Sequence, residues 1–244
     1  MRNVLITGAS RGIGAETARR FAENGDRVFI NYHHSHEAAV RLAEELTDRG
    51  LTAAIIKADV SKSSDVGKMF AEIEEQTGGI DVLVNNAGIA QTKLFTDITD
   101  EDWDRMVATN LSSTFYCCRA ALPYMIRQHF GRIINISSMW GQIGGSCEVH
   151  YSAAKAGIIG LTKALAMEEG LSGITVNCIA PGVIRTDMTS HLSDEDFKAL
   201  ADETPTGSIG TPEDVARAAV FLADDSSSFI TGQVLGVNGG FVVS

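Results

Sequence analysis

The sequence predicts an α/β fold in which one doubly wound domain is built on a seven-stranded parallel sheet. Short apolar or β-branched segments alternate with amphipathic segments of helix length along the whole chain. Several of the short segments are apolar almost throughout, as expected for strands that helices cover on both faces. The 244 residues, of which 44% are hydrophobic, suffice for one sizeable core. We therefore expect a single domain over residues 1–244.

Strand and helix candidates follow one another in a regular order. The strand candidates are NVLIT, RVFINY, TAAIIKADV, IDVLVNN, GRIINISS, ITVNCIAPG and QVLGVN. The helix candidates are AETARRFAEN, EAAVRLAEELTDR, SDVGKMFAEIEEQT, a long region from about Asp100 to Gln128, AAKAGIIGLTKALAMEE and PEDVARAAVFLA. Gly25 and Gly50 stand where a left-handed residue would end a helix. The more polar stretch 184–210 fits neither pattern, and we expect it to form a lid over the substrate.

Charge and cysteine usage exclude several classes of protein. A formal net charge of −11 argues against a nucleic-acid surface, because phosphate binding needs a basic face. No apolar segment reaches the roughly 18 residues of a membrane span. The four cysteines show neither metal-ligand spacing nor a disulfide framework, and HHSH at 33–36 lacks a complementary ligand pair. We expect a cytoplasmic protein without a metal, a membrane anchor or a nucleic-acid partner.

A glycine-rich turn follows the first strand. VLITGASRGIG places Gly8, Gly12 and Gly14 directly before the first helix. Side chains there would obstruct the close approach of backbone to a pyrophosphate, which the helix N-terminus attracts. The plain alternative is that the glycines serve only the turn. The flanking strand and helix favour a dinucleotide site.

A hydroxyl, a phenol and an ammonium recur at spacings of thirteen and four. If a helix opens near Tyr151, Lys155 lies one turn further on the same face. A nearby cation would lower the phenol pKa from its usual value near 10, so Tyr151 can act as acid or base. Ser138, at the end of a strand, can donate to the same substrate oxygen. Without other motifs, an ordinary helix start and strand end would be the favoured explanation of these residues.

Further motifs favour the catalytic interpretation over that alternative. The glycine turn, NNAG at 85–88, Asn110 in ATNLSS, the three residues above and APG at 180–182 resemble, in order and spacing, the classical short-chain dehydrogenase/reductase family over essentially the whole chain. The family pattern requires twelve residues before the tyrosine, which selects Ser138 over Ser137. Cys147 has no adjacent base and is expected to pack.

The resemblance implies a Rossmann fold, a nicotinamide cofactor and a homotetramer joined through the helices around Asn110 and Tyr151 and through the C-terminal strand. It makes Asn110, Ser138, Tyr151 and Lys155 the catalytic set, with Lys155 also on the nicotinamide ribose and Asn110 holding a water that relays protons. The implied cofactor contacts are Gly8, Ser10, Arg11, Gly12, Ile13, Gly14, Tyr32, His33, Asp59, Val60, Asn86, Ala87, Gly88, Tyr151, Lys155, Pro181, Gly182, Val183 and Thr186.

The end of the second strand predicts which cofactor is used. Family members that prefer NAD usually place Asp there, whereas this chain has Tyr32. Arg11 in the glycine turn and His33 offer positive charge to a 2′-phosphate. The alternative is that Arg11 only caps a solvated turn. We predict NADPH and the direction of reduction.

The substrate is expected to be a ketone. YSAAKAGIIGLTKALA, GITVNCIAPGVIRTDMT and ITGQVLGVNGG resemble the 3-oxoacyl-[acyl-carrier-protein] reductase branch, which acts in fatty acid biosynthesis. That branch commonly has arginines at the positions of His129 and Ser172 to dock its acidic partner, and here Arg127 and Arg132 are the available substitutes.

Four residues between Ser138 and Tyr151 are expected to line the substrate pocket: Trp140, Gln142, Glu148 and His150. A substrate ammonium would suit Glu148 and the Trp140 ring, although the plain alternative is that Glu148 faces solvent or pairs with protein. SSMWGQIGGSCEVHYS also resembles reductases of the 5-aminopentanone group on elongation factor P, which are our alternative. A noncatalytic NADPH-sensing protein is the alternative from another class, but it would have no reason to retain all four catalytic residues.

Overall fold

All seven expected strands lie in one parallel sheet. The computed structural model describes residues 1–190 and 192–243. Within them the strands are β1 (Asn3–Ile6), β2 (Arg27–Tyr32), β3 (Ala53–Lys57), β4 (Val82–Asn85), β5 (Gly131–Ile136), β6 (Ile174–Pro181) and β7 (Val234–Val237). Their order is β3-β2-β1-β4-β5-β6-β7. The chain therefore adds β2 and β3 on one side of β1 and β4 to β7 on the other, with all strands parallel. The point between β1 and β4 where the strand order reverses opens a crevice at the carboxyl ends of the strands.

Helices fill the connections between the strands. In the described part of the chain they are α1 (Gly12–Glu23), α2 (His36–Asp48), α3 (Ser63–Thr77), α4 (Asp100–Val107), α5 (Ser113–Gln128), α6 (Trp140–Ile143), α7 (Val149–Glu169), α8 (Asp194–Glu203) and α9 (Pro212–Ala223). The long helical region expected over 100–128 is divided by a π-helical turn at Ala108–Ser112, which contains Asn110.

The core lies on both faces of the sheet. Along β1, Val4 and Ile6 belong to a cluster with residues of α1, α2 and α9, whereas Leu5 belongs to a cluster with residues of α3, α5 and α7. This alternation follows from the two-residue period of a strand. The doubly wound α/β class predicted from the sequence is confirmed, and the strand ends on either side of β1 and β4 are the positions that can carry a site.

The stretch expected to be a lid contains its own secondary structure. A 3₁₀ turn at Asp187–Thr189 and helix α8 lie within residues 184–210, and Ile184 pairs with Gly210 across the base of the segment. Residue 191 of this stretch lies outside the described residues. Lid movement stays a prediction, as does the single-domain organisation over 1–244.

Membrane-spanning helices and metal-binding clusters are both absent from residues 1–190 and 192–243. No helix there is both long and apolar enough to cross a membrane. The same residues bring together no group of three histidine, cysteine or acidic side chains that could hold a metal ion.

Candidate active site

The glycine turn packs directly on the segment that follows β4. Gly8 has a φ of +62°, and a Cβ there would lie 2.9 Å from the Cα of Ala87. A Cβ on Gly14 would lie 2.5 Å from the side-chain amide nitrogen, Nδ2, of Asn86. A side chain at either position would push the two segments apart, so this close packing of the turn on the NNAG segment requires glycine at both positions.

Short polar side chains hold these two segments in register. The Thr7 hydroxyl oxygen accepts from the backbone N–H groups of Asn86 and Ala87, each at 3.0 Å. Asn31 on β2 accepts from the Gly8 N–H at 3.1 Å. Sequence reasoning missed Thr7 and Asn31. Their signal is a polar residue inside an otherwise buried strand, since such groups are almost always hydrogen bonded.

The beginning of α1 is suited to a pyrophosphate. The helix starts at Gly12, its N-cap Arg11 makes no capping side-chain bond, and its first turn contains no acidic residue. The first turn of the helix therefore places no negative charge of its own at the positive end. Ser10 and Ile13 lie in the same turn, and Ile13 packs partly against the core. This cradle fits a dinucleotide at the place where the sequence predicted one.

The end of β2 has no carboxylate for a ribose 2′-OH. Tyr32 is buried, and its hydroxyl lies 2.7 Å from Nδ1 of His36. His33 lies just beyond, with Nε2 3.9 Å from Asp59. The Arg11 side chain is 66% exposed and lies 3.9 Å from Asp187.

Two of the expected cofactor contacts, Asp59 and Val60, lie after β3. Burial would raise the pKa of Asp59, but hydrogen bonds from Ser61 and Lys62 outweigh it and lower that pKa. Val60 is buried beside it. An ionised Asp59 in this position can only accept hydrogen bonds.

The end of β6 closes the crevice from the other side. Met139 N–H donates to Pro181 O at 2.9 Å, and Gly182 N–H donates to Val237 O at 2.9 Å. Val183 follows and accepts from Gly210. A Cβ on Gly12 would meet Thr186 at 3.6 Å. Of the predicted contacts after β6, Thr186 thus lies beside the glycine turn.

Tyr151 and Ser138 are adjacent in the structure. Tyr151 lies in the first turn of α7, Ser138 follows β5, and their side chains are hydrogen bonded. Burial raises the pKa of Tyr151 to about 12, although the Ser138 bond acts in the opposite direction, and the negative charge of Glu148 raises it further. This differs from our expectation that Lys155 lowers the pKa, because desolvation of the buried phenol dominates. At neutral pH the phenol is protonated.

Lys155 lies one helical turn beyond Tyr151, as predicted. Its Nζ is 5.6 Å from the centroid of the Tyr151 ring and donates to Ile136 O at 2.8 Å. Burial lowers its pKa to about 8. Ser137 is indeed not part of this pair, since its hydroxyl donates to the backbone carbonyl of Lys155.

Asn110 is fully buried in the π-helical turn. Its side chain accepts from Ile89 N–H and donates to Ile89 O, both at 3.0 Å. A Cβ on Gly88 would lie 2.5 Å from Asn110 Oδ1 and 3.5 Å from Lys155 Nζ. Gly88 therefore separates the Asn110 amide from the Lys155 ammonium, which in turn lies beside the ring of Tyr151, the partner of Ser138.

The four expected substrate residues occupy different environments. The Trp140 backbone N–H donates to Ser138 Oγ, and its ring packs edge-on against Phe241. Gln142 and Glu148 are partly buried, and Glu148 lies at the N-cap of α7. His150 is instead completely buried and bonds to Gln91, so its ring has no open face toward a cleft.

The expected docking arginines differ in accessibility. Arg132 is only 4% exposed and stacks over the Phe130 ring. It is thus unable to meet a partner on the surface. Arg127 is exposed, with Glu74 3.3 Å away.

Comparison with known proteins agrees with this geometry. The short-chain dehydrogenase family model that is described as enoyl-(acyl carrier protein) reductase matches residues 8–242. The 3-oxoacyl-[acyl-carrier-protein] reductase FabG of Staphylococcus aureus is 44% identical over 239 residues, which cover 98% of this chain and 97% of that protein. FabG of Chlamydia muridarum is 45% identical over 237 residues, covering 97% and 95% respectively.

A relative with another activity is similar to the same degree. The (2S)-[(R)-hydroxy(phenyl)methyl]succinyl-CoA dehydrogenase subunit BbsD of Thauera aromatica is 42% identical over 240 residues, which cover 98% of this chain and 96% of that protein. These relatives therefore match nearly the whole chain but are named for different substrates. The chain belongs to the short-chain dehydrogenase/reductase family, whose members are NAD(P)(H)-dependent oxidoreductases acting on CH–OH and C=O groups.

Proposed function

We propose that this chain reduces a ketone to a secondary alcohol with NADPH, and that its substrate class is the 3-oxoacyl thioesters. The observation that carries the proposed chemistry is the Tyr151 phenol, which is buried beside Ser138 with the Lys155 ammonium 5.6 Å from the centroid of its ring. A phenol that keeps its proton at neutral pH is in the state that a proton donor requires.

Each catalytic residue has a distinct role in this reaction. Ser138 donates to the substrate carbonyl oxygen and holds it beside Tyr151, which transfers its phenolic proton to that oxygen. When bound, reduced nicotinamide supplies the hydride that reaches the carbonyl carbon, so that C=O becomes CH–OH. With a pKa of about 8, Lys155 is largely cationic at neutral pH and stabilises negative charge on Tyr151 as the proton leaves. Asn110 fixes the backbone at Ile89 beside Lys155.

The choice of NADPH rests on charge at the end of β2. β2 ends in Tyr32, a side chain that is turned into the structure, although the Asp59 carboxylate lies 3.9 Å from His33. The exposed Arg11 guanidinium can bind that phosphate with two hydrogen bonds. Its contact with Asp187 at 3.9 Å is a weak exposed pair that a phosphate can displace.

The thioester class is supported by the relatives. FabG is named as a reductase of 3-oxoacyl groups on acyl-carrier protein, and BbsD as a dehydrogenase of a CoA thioester. An acyl thioester is the feature that these substrates share. An acidic carrier protein would meet a chain with a net charge of −11, in which Arg132 is buried. We therefore expect the carrier to contribute less to binding than the acyl thioester does.

A second candidate is supported by Glu148. Its negative charge raises the pKa of Tyr151, so the carboxylate lies close enough to the phenol to act on it electrostatically. A substrate ammonium beside Glu148 would offset that charge, and the Trp140 ring could add cation–π attraction. This candidate is reduction of a ketone with a distal amine, such as the 5-aminopentanone group on elongation factor P.

The deciding experiment is a panel assay of NADPH oxidation. The panel contains acetoacetyl-CoA, acetoacetyl-acyl-carrier protein, a ketone with a distal amine and its neutral analogue. We expect the highest kcat/KM for the acetoacetyl thioesters. Preference for the amino ketone over both thioesters would select the second candidate, and Glu148→Gln should then erase it. Glu168→Gln, which removes an exposed charge near the other end of α7, is the matched control.

We also expect a homotetramer. Phe115 on α5 and Met167 on α7 expose 44% and 88% of their surface, and Phe229 before β7 is fully exposed. Apolar surface of this kind favours association. Light scattering at micromolar concentration should give four subunits, and a stable monomer would contradict this. The cytoplasmic location stays a prediction.

A further inference from the structure

A chain of hydrogen-bonded side chains joins the start of α7 to the loop that follows β4. His150 Nε2 and Gln91 Oε1 are 2.9 Å apart, and Gln91 Nε2 donates to Asp102 Oδ1 at 3.0 Å. Lys93 Nζ donates to Asp102 Oδ2 at 2.6 Å. The reaction described above uses none of these four residues, yet His150 directly precedes Tyr151 in the chain.

Asp102 sets the direction of every bond in this network. Hydrogen bonds from Lys93, Gln91 and the Thr99 backbone hold the pKa of Asp102 far below its usual range. An ionised carboxylate only accepts hydrogen bonds, so Gln91 must turn its NH₂ group toward Asp102 and its oxygen toward His150. The His150 ring must therefore donate from Nε2.

The remaining ring nitrogen of His150 is unusual. The ring is completely buried, and burial lowers the pKa of His150. The positive charge of Lys93 also lowers this pKa, whereas the negative charge of Asp102 raises it. In the neutral ring with its proton on Nε2, Nδ1 carries a lone pair, and this atom is buried without a hydrogen-bond partner. A buried acceptor without a donor costs free energy, so leucine would suit packing at least as well. What histidine adds is one directed donor to Gln91.

The network holds a loop that is also fixed at its other end. Residues 89–94 are attached to Asn110 through both backbone groups of Ile89. Near the far end, Lys93 N–H donates to Cys147 O at 2.7 Å. The loop and the segment 147–150 are thus tied together immediately beside Tyr151.

We propose that His150 is a positioning residue for substrate binding, which acts through Gln91 and Asp102 to hold loop 89–94 against segment 147–150. The proposal rests on the ketone reduction proposed above. Because the ring is completely covered, His150 supports one wall of the substrate site without touching substrate. Loss of its hydrogen bond loosens that wall and weakens ketone binding, while the cofactor cradle at Gly8 to Gly14 is unaffected.

Steady-state kinetics of matched variants test this role. His150→Leu and Gln91→Leu should each raise the KM for ketone about fivefold, the equivalent of one neutral hydrogen bond, with little change in kcat or in the KM for NADPH. The double variant should be no worse than either single one, since both break the same bond. His150→Gln keeps a donor near the Nε2 position and should restore the parent KM. Gln76→Leu on the exposed face of α3 is the control.

Nitrogen-15 NMR of the histidine rings gives a readout that needs no substrate. We expect one neutral ring with its proton on Nε2, whose signals disappear in His150→Gln and which resists protonation at pH values where exposed histidines titrate. A proton on Nδ1 would overturn the bond directions. An unchanged ketone KM in both leucine variants, or no restoration by His150→Gln, would overturn the role in binding. A parent enzyme that reduces no ketone would refute the proposed function, while the NMR spectrum would still decide the network.

Discussion

The cofactor side and the substrate side of the crevice are organised by different physical effects. On the cofactor side, glycines and short uncharged side chains such as Thr7 and Asn31 position the backbone. On the substrate side, burial shifts the pKa of ionisable groups, upward for Tyr151 and downward for Lys155. The first arrangement depends on shape and suits one cofactor class. The second depends on charge and desolvation, so single substitutions there can change the chemistry.

The largest effect should come from removing the proton donor on the substrate side. Tyr151→Phe keeps the buried ring but not the hydroxyl, and we expect kcat to fall by about 10²–10⁴ because general acid catalysis is lost. NADPH binding, followed by fluorescence titration, should change little. Tyr116→Phe is the control for a partly buried tyrosine outside the site. A Tyr151→Phe enzyme with most of its turnover would refute the assigned role.

A glycine substitution should break the cofactor side by shape alone. Gly14→Ala places a Cβ 2.5 Å from Asn86 Nδ2 and 2.7 Å from Gly8 O. The overlap exists without cofactor, so its relief should lower the free energy of unfolding by about 1–3 kcal/mol, and the displaced turn should bind NADPH about tenfold more weakly. Gly67→Ala in the exposed middle of α3 meets no atom within 4 Å and should instead raise the free energy of unfolding by about 0.5–1 kcal/mol. Equal NADPH dissociation constants for parent and Gly14→Ala would contradict the close packing.

The pH profile separates charge from stability on the substrate side. Lys155 has a pKa of about 8, so loss of its proton should reduce kcat/KM about tenfold per unit above that pH. The pKa of Lys155 in the folded state lies below its ordinary value of 10.5. Between these two pH values the unfolded chain binds more protons than the folded chain, so this group makes the fold more stable as pH rises. Activity should therefore fall between pH 8 and 9.5 without a matching loss of Tm from Lys155. A flat kcat/KM up to pH 9.5 would show that the ammonium is not required.

The smallest effect is expected at the exposed edge of the cofactor side. Arg11→Ala should lower kcat/KM with NADPH about tenfold and leave the value with NADH nearly unchanged, because only NADPH carries the 2′-phosphate. Arg41→Ala removes a comparably exposed arginine of α2 and serves as the control. A parent enzyme that prefers NADH would contradict the cofactor assignment itself.

The sequence was sufficient to predict the fold, and it also named a candidate catalytic set, whose roles stay predictions. Alternating strand and helix patterns depend on local periodicity, which is written directly in the chain. Glycine spacing before α1 and the four-residue separation of Tyr151 and Lys155 are equally local. These features therefore needed no knowledge of tertiary contacts.

Other features were decided only by tertiary structure. The pKa of Tyr151 depends on how completely the phenol is desolvated, and spacing alone wrongly suggested that Lys155 would dominate. Arg132 reads as a surface cation but is buried on β5, and His150 reads as a pocket residue but bonds to Gln91, 59 positions away. Burial and long-range hydrogen bonds arise when distant segments pack, so they determine electrostatics and substrate binding in ways that residue order does not encode locally.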